Sequence, residues 1–569
     1  MNPSTIYHRP RSEFAFALDD THYVFRLRTG RGEADSCLFY FADRATMDPV
    51  LSFSVCPMEK IRSDLYFDWY EIRLETNLER IAYYFRLTKG EEALVYYGDC
   101  YEFASFPDRG DYFQLPFNHR ADRLQIPDWV QDAVVYQVFP DSFTSCGQGK
   151  HALIHAQPST SRLGGTLRGI TERLAYIASL GCNVVYLNPI FAAGAYHKYD
   201  TLDYFEIDPC FGTKAEFRQL VTRAHSLGLR VILDGVFNHM SARHPFFQDV
   251  LEKGTASLYY RWFYHLPPKP ALPKPGEQPA YTCFSYVASM PKTDTSYPAM
   301  RQYFCDVGTY WVQEFDIDGW RLDVANEVDD GFLRAFRQAV RAVKPDAWVL
   351  GEVWENAAHY LHRDLMDSAM NYDFRRYCRR FFAEGSVDAA TFDSNLTTLL
   401  FRYQEPALLA QLNLLDSHDV SRFFSLCGED PRKMELAVVF LMTFPGVPML
   451  YYGDELGLSG QQEEEYRCPM PWGQSHPLQG IYQALIDLRH RKPALRRGNF
   501  RTFLAEGRAL GYTRTWSGSC ISVFLNLGDT PISSAQRGRL LLKKGSKRGI
   551  IRAWEYEIWE ETCHGGDHL

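Results

Sequence analysis

No stretch of the 569 residues approaches the ~18 consecutive apolar residues that a membrane-spanning helix needs. Basic residues are short of acidic ones, 61 against 70, and a net charge of -9 argues against nucleic acid or an anionic membrane as the main partner. The chain has thirteen cysteines, scattered from Cys37 to Cys563, yet none forms a Cys-x-x-Cys pair or a metal-ligand spacing with histidine. A zinc site or a disulfide framework is therefore not expected, and scattered thiols suit a reducing compartment. The opening Met1-Asn-Pro-Ser-Thr-Ile-Tyr-His8 lacks the apolar centre and small-residue cleavage site of an export signal. A cytoplasmic location is expected. Internal repeats and extended low-complexity segments are also missing.

What is present is an ordinary globular composition, 46% hydrophobic and 23% charged, with enough length for about two to four units and an ample core. Aromatics reach 15%, and core packing accounts for most of them. Residues 1 to 125 alternate as strands do, in Tyr23–Arg28, Cys37–Phe41, Tyr66–Leu74 and Ile81–Leu87, with glycine-bearing turns between them. That pattern predicts an N-terminal β-sandwich.

From residue 126 to 491 the rhythm becomes strand, then helix. Continuous apolar runs at Ala133–Phe139, Asn183–Leu187, Val231–Leu233, Gly319–Leu322, Trp348–Leu350, Ala369–Tyr372, Leu412–Leu415 and Met449–Tyr452 read as buried parallel strands. They predict a multidomain α/β protein with a central (β/α)8 TIM barrel. Residues 240–300, with the proline-rich Leu266–Pro275, interrupt the alternation after the third strand as an inserted loop domain. Residues 492–569 return to short strands and predict a C-terminal β domain.

Four short stretches each follow one of these runs: Asp234-Gly-Val-Phe-Asn-His239, Gly319-Trp-Arg-Leu-Asp-Val-Ala-Asn-Glu327, Gly351-Glu-Val-Trp354 and Leu415-Asp-Ser-His-Asp419. In a barrel such positions lie at the C-terminal face, where active sites are built. Asp323, Glu352 and Asp419 would meet there, and paired carboxyls ~5–5.5 Å apart are the equipment of a retaining glycosidase. Arg321, two residues before Asp323 on the same side of its strand, is placed to keep Asp323 ionised. Glu352 needs the opposite tuning, a carboxyl raised by its acidic neighbours so that it begins protonated. Alone, each stretch has a plainer reading: a helix cap or turn for Asp234, an ion pair for Arg321 and Asp323, a core or rim aromatic for Trp354. An ordered set of four on four matching strands favours chemistry.

These four stretches resemble the four signature regions of the α-amylase superfamily, and most closely its neopullulanase, cyclomaltodextrinase and maltogenic amylase branch. Val324-Ala-Asn-Glu327 after Asp323, Met290-Pro-Lys292, the opening Ile6–Phe14 and the Tyr83-Tyr-Phe85 to Tyr96-Tyr-Gly98 stretch carry the closer likeness. The resemblance implies Asp323 as nucleophile, Glu352 as acid/base and Asp419 as the third carboxylate. It implies that Arg321, His239 and His418 hold the sugar, that His197 and Tyr199 supply a histidine and a stacking tyrosine, and that Asp234 supports the site from behind. Glu327 and Trp354 would lie toward the acceptor. The implied reaction is hydrolysis, with some transglycosylation, of α-1,4 bonds in cyclodextrins and malto-oligosaccharides, with pullulan and starch slower. A homodimer in which one N-terminal module covers the partner's cleft is implied as well.

The chain departs from that pattern in the loop after the first strand. Many relatives bind calcium there, but this sequence reads Ser145-Cys-Gly-Gln-Gly-Lys150 and Gly164-Gly-Thr166, short of the hard oxygen ligands calcium needs. No metal and no required cofactor are expected. Thr293-Asp294 and Asp416 also differ from the usual residues, which bears on substrate preference. Alternatives are a 4-α-glucanotransferase, an α-glucosidase or, outside enzymes, a catalytically dead glycan-binding scaffold. The last would be marked by loss of Asp323, Glu352 or Asp419, and all three are present.

Overall fold

The computed structural model describes residues 1–47, 50–98, 100–102, 111–144, 163–361, 364–534 and 538–562. All eight apolar runs form strands of one closed parallel barrel: β1 (Val135–Val138), β2 (Val184–Leu187), β3 (Arg230–Gly235), β4 (Gly319–Leu322), β5 (Trp348–Gly351), β6 (Ser368–Asn371), β7 (Leu412–Leu414) and β8 (Val447–Tyr451). Each strand pairs with its successor, and β8 closes on β1 through Met449 opposite Val135. The strands read as unbroken apolar runs because both faces are covered. One face looks inward, where Val135, Val184, Tyr186, Ile232, Trp348, Leu350, Met370, Leu412 and Met449 pack into one core.

Local signals set the helix boundaries around the barrel. Lys214–Ser226 starts at a capping box in which the Thr213 hydroxyl accepts from the Glu216 N–H and the Glu216 carboxylate accepts from the Thr213 N–H. It ends before Gly228, whose φ of 74° only glycine adopts without strain. Between β3 and β4 the insert holds the helix Pro245–Lys253, short 3₁₀ turns and the irregular Leu266–Pro275. It is tied back by bridges of His239 to Lys292 and of Phe263 to Thr293. The helix Pro298–Phe315 then leads into β4.

Contacts divide the chain into two compact units. The barrel unit comprises Ile126–Gly385 and Leu409–Arg497, and the other comprises Met1–Gln125, Ser386–Leu408 and Gly498–Leu569. In the second unit, an N-terminal sandwich sets the strands Ala15–Ala17, His22–Gly30, Phe67–Glu75 and Glu59–Ser63 against a sheet that includes Ser36–Asp43, Ile81–Lys89 and Glu92–Tyr97. Aromatic rings fill the space between them, with Phe25, Phe39, Tyr83 and Phe85 all buried. The C-terminal part is a five-stranded antiparallel sheet in the order Asn499–Glu506, Ala509–Trp516, Ser519–Asn526, Glu555–Thr562, Arg539–Lys544.

Residues 386–408 fall within the span expected for the barrel, yet they pack in this unit. The reason lies in partners remote in sequence. Phe401, on the helix Ala389–Phe401, stacks on Trp69 with ring centroids 4.5 Å apart, Arg26 donates to the Tyr403 carbonyl at 3.1 Å, and Arg62 pairs with Asp393. The barrel unit in turn runs through the helices Pro477–Arg491 and Pro493–Arg497 rather than stopping at 491.

Candidate active site

Arg321 is the hub of the polar cluster at the C-terminal ends of the strands. Its place on β4 buries it completely, so its charge needs partners within reach. Nη1 donates to Asp234 Oδ1 at 2.7 Å and to Asp323 Oδ1 at 2.8 Å. Nη2 lies 2.9 Å from Glu352 Oε1, a charge contact outside hydrogen-bond alignment. Burial works against the guanidinium charge, but Asp234 and Glu352 outweigh it and raise its pKa well above the ordinary value.

Several carboxylates around one guanidinium leave an excess of negative charge. Burial pushes the Asp323 carboxyl well above the usual range; Arg321 pulls it down, while Glu352, Asp234 and Asp419 push it up again. Arg321 thus favours the ionised form of Asp323, as its place in the sequence led one to expect, against burial and the neighbouring carboxylates. The first proton bound by such a cluster belongs to the group and not to one member.

Glu352 follows β5 and is almost fully buried. Its Oε2 accepts from the Val324 N–H at 3.1 Å and its Oε1 from the Trp354 indole N–H at 3.1 Å. Val324 reaches it from a left-handed backbone, φ 45° and ψ 46°, which a β-branched residue adopts only under strain. Trp354 is 46% exposed and stacks face to face on Tyr372, centroids 3.9 Å apart and planes 9° apart. Its free face is a flat apolar platform beside Glu352.

Beyond β7, His418 Nε2 sits 2.8 Å from Asp419 Oδ2, and Arg467 Nη2 lies 3.3 Å from Asp419 Oδ1. Burial works to raise the Asp419 carboxyl, but His418, Arg467 and Arg321 prevail and bring it down to about 2. Tyr199 lies parallel to the His418 ring, and its hydroxyl donates to Asp234 Oδ2 at 3.0 Å. Asp234, Tyr199, Arg321, Asp323, Glu352, Trp354, His418 and Asp419 thus form one connected network.

The remaining expected residues stand at its margin. His239 is buried, stacks on Phe284 and bonds through Nε2 to the Tyr199 carbonyl at 3.1 Å; burial lowers its pKa to about 3. His197 is half-buried, and its Nδ1 accepts the Tyr199 N–H at 3.1 Å. Glu327 is half-exposed and meets Lys292 Nζ at 3.4 Å, which also donates to the Glu327 carbonyl at 2.9 Å. Sequence reasoning missed Arg467, Gln137, Asn188 and Tyr186, and named Lys292 only as part of the family likeness. Gln137 and Tyr186 carried a signal, as polar atoms inside otherwise apolar strands. Arg467, in a loop 48 residues past Asp419, carried none.

Comparison with known proteins gives this geometry its context. The family profile "Alpha amylase, catalytic domain" matches residues 137–476, and "Alpha amylase, N-terminal ig-like domain" matches residues 1–119. The chain belongs to the α-amylase family. This family member is 40% identical to a cyclomaltodextrinase of Geobacillus thermopakistaniensis (strain MAS1), over 95% of each chain. It is 39% identical to neopullulanase 2 of Thermoactinomyces vulgaris, over 98% of this chain and 96% of that one. A solved cyclomaltodextrinase superposes with a TM-score of 0.90 at 34% identity, covering 98% of this chain and all of that one. The fold is that of an α-amylase-family glycoside hydrolase, with the closed barrel and N-terminal Ig-like domain in place.

The stretch after β1 where the sequence departs from the calcium-binding pattern is only partly described. Ser145–Lys150 lies outside the described residues. Nearby, the Asp141 carboxylate accepts from the Leu163 and Gly164 N–H groups, and the Thr166 hydroxyl caps the next helix by accepting from the Gly169 N–H. Among the described residues, no group of three His, Cys, Asp or Glu side chains is arranged to hold a metal ion. Nor is any described helix long and apolar enough to cross a membrane.

Proposed function

We propose that this glycoside hydrolase cleaves α-1,4-glucosidic bonds of cyclodextrins and malto-oligosaccharides, and more slowly of pullulan and starch, with retention and some transglycosylation. The observation that carries the reading is Arg321 bridging Asp323 and Glu352 in one buried cluster at the barrel's C-terminal rim. A single guanidinium spans them, a spacing compatible with the ~5–5.5 Å of retaining chemistry. In this mechanism an Asp323 oxygen attacks the anomeric carbon while Glu352 gives its proton to the departing oxygen. A glycosyl ester forms on Asp323. Glu352, now a base, takes a proton from water or from a sugar hydroxyl, which opens the ester and restores both groups. Asp419, steadied by His418 and Arg467, accepts hydroxyls of the sugar undergoing reaction. Trp354 and the Lys292–Glu327 pair line the acceptor side, where water and a second sugar compete.

Reducing-sugar release from β-cyclodextrin, pullulan and starch tests this reading, with Asp323→Asn in parallel. Faster cleavage of cyclodextrin than of starch is expected, together with a loss of at least ~10³-fold in the variant, as removal of a nucleophile produces. Absence of cleavage of every α-glucan by the wild type overturns it.

The reading extends to a cytoplasmic homodimer without bound calcium. The missing oxygen ligands and the scattered cysteines support it, as does the likeness to the neopullulanase branch. Sedimentation is expected to give a dimer with and without EDTA, and calorimetric titration no tight calcium binding. A stoichiometric calcium isotherm or a monomer refutes the corresponding part.

A further inference from the structure

Behind the carboxylates lies a row of uncharged groups to which the proposed mechanism assigns no part. Gln137 on β1 and Asn188 just past β2 are fully buried in the barrel interior. Their hydrogen bonds favour one arrangement of protons. Asp234 Oδ2 accepts from the hydroxyls of Tyr186, at 2.7 Å, and Tyr199, at 3.0 Å. With the Tyr199 hydroxyl donating to this carboxylate rather than to His418 Nε2, which it also meets, both tyrosine protons are committed. The Asn188 group that faces these two hydroxyl oxygens, at 3.4 and 3.0 Å, and the same carboxylate oxygen at 3.5 Å must then be the NH2. Its carbonyl is turned the other way, toward Gln137, and takes a hydrogen bond from the Gln137 NH2 at 3.1 Å. That same NH2 lies 2.8 Å from His418 Nδ1.

An NH2 group facing a ring nitrogen requires that nitrogen to be the acceptor. We infer that Gln137 and Asn188 are positioning residues that relay the orientation set by Asp234 to His418 and fix it as the tautomer protonated on Nε2. Three features support the assignment. His418 Nε2 faces two acceptors, Asp419 Oδ2 at 2.8 Å and the Tyr199 hydroxyl oxygen at 2.5 Å, so its proton has somewhere to go. The opposite tautomer would set a bare Nε2 lone pair against the Asp419 carboxylate. Turning the Gln137 amide over would place its carbonyl oxygen against that of Asn188. The barrel accepts a cost to keep the orientation, because Gln137 Oε1 is buried without a donor.

The consequence for the reaction rests on the function proposed above. Asp419 is held by a donor whose proton direction is set through Gln137 and Asn188 by Asp234, a residue of another strand. Exchange of the tautomer leaves the fold intact and turns an attraction at Asp419 into a repulsion.

Neutron diffraction from deuterium-exchanged crystals of the whole protein reads the arrangement directly. Deuterium on His418 Nε2, none on Nδ1 and two deuterons on Gln137 Nε2 are expected. Deuterium on Nδ1, or the Gln137 carbonyl facing the ring, overturns the inference. Gln137→Glu gives a second reading, since it replaces the donor by an acceptor. The ring proton is then expected on Nδ1 in long-range proton–nitrogen spectra of protein labelled with ¹⁵N-histidine, with His418→Gln identifying the signal. kcat/KM is expected to fall roughly 10–100-fold, as loss of an orienting partner does, with KM little changed. Identical His418 signals in wild type and Gln137→Glu overturn it. A protein that cleaves no α-glucan yet carries the deuteron on Nε2 refutes the proposed function and leaves the relay standing.

Discussion

Val324 occupies a backbone region that a valine enters at a cost of ~1–3 kcal/mol, and it does so between the two carboxylates of the reaction. The strain has a visible return: its N–H points at Glu352 Oε2. Glycine removes the clash and also loosens the chain. Val324→Gly is therefore expected to keep or raise stability, by up to ~1 kcal/mol in urea unfolding, while kcat falls several-fold because Glu352 is less firmly held. A clear loss of stability would mean that the valine side chain matters more than the strain. Asp323, Glu352 and Asp419 were legible in the sequence because each ends an apolar run. Val324's conformation was not, since no local signal asks for φ > 0 at a β-branched residue. Arg467 was invisible for a different reason: its contacts with Asp419, with the His418 carbonyl and with Tyr196 join loops that only the closed barrel brings together.

At the scale of elements, periodicity and caps did most of the work. The eight barrel strands were readable because a strand buried on both faces is a short apolar run, and each was punctuated by a helix start or a glycine. The capping box of Lys214–Ser226 is such a start, and its contribution is measurable. Thr213→Ala is expected to cost ~1 kcal/mol in urea unfolding with kcat unchanged, since the helix lies outside the network of carboxylates. An unchanged midpoint would show that Glu216 and water cap the helix without Thr213. The segment Ser386–Leu408 resisted this kind of reading. Its helix carries apolar residues to bury as a barrel helix does, and the sequence does not record that Phe401 meets Trp69.

For the whole molecule, buried neutral histidines set the acid limit. His8 lies in the sandwich and His239 and His244 in the barrel unit, all buried. Burial depresses their native pKa values to about 3, 3 and 4, from 6.5. Well above pH 6.5 neither the folded nor the unfolded chain protonates them, and stability is full. As the pH falls below 6.5, the unfolded chain takes up protons that the native chain refuses. Each histidine then lowers the unfolding free energy by up to ~1.4 kcal/mol per pH unit until its own native pKa is reached. The urea midpoint is expected to drop markedly between pH 7 and pH 5, and less so in His8→Gln. A midpoint flat over that range contradicts the burial argument. The Asp419 contribution lies in a separate window: its native carboxyl, at about 2, is below the ordinary 3.8, so its share is present above pH 4 and lost between pH 4 and 2.

The sequence by itself determined the order of strands and helices, the barrel and the acidic residues at its rim, because those depend on local periodicity and on positions just past a strand. The tertiary structure alone decided which charges face which. It set one guanidinium among four carboxylates, raised the Asp323 carboxyl while lowering that of Asp419, and ran an amide relay from Asp234 to His418. Electrostatic energies depend on distance and burial, and the sequence fixes neither until β1 closes on β8.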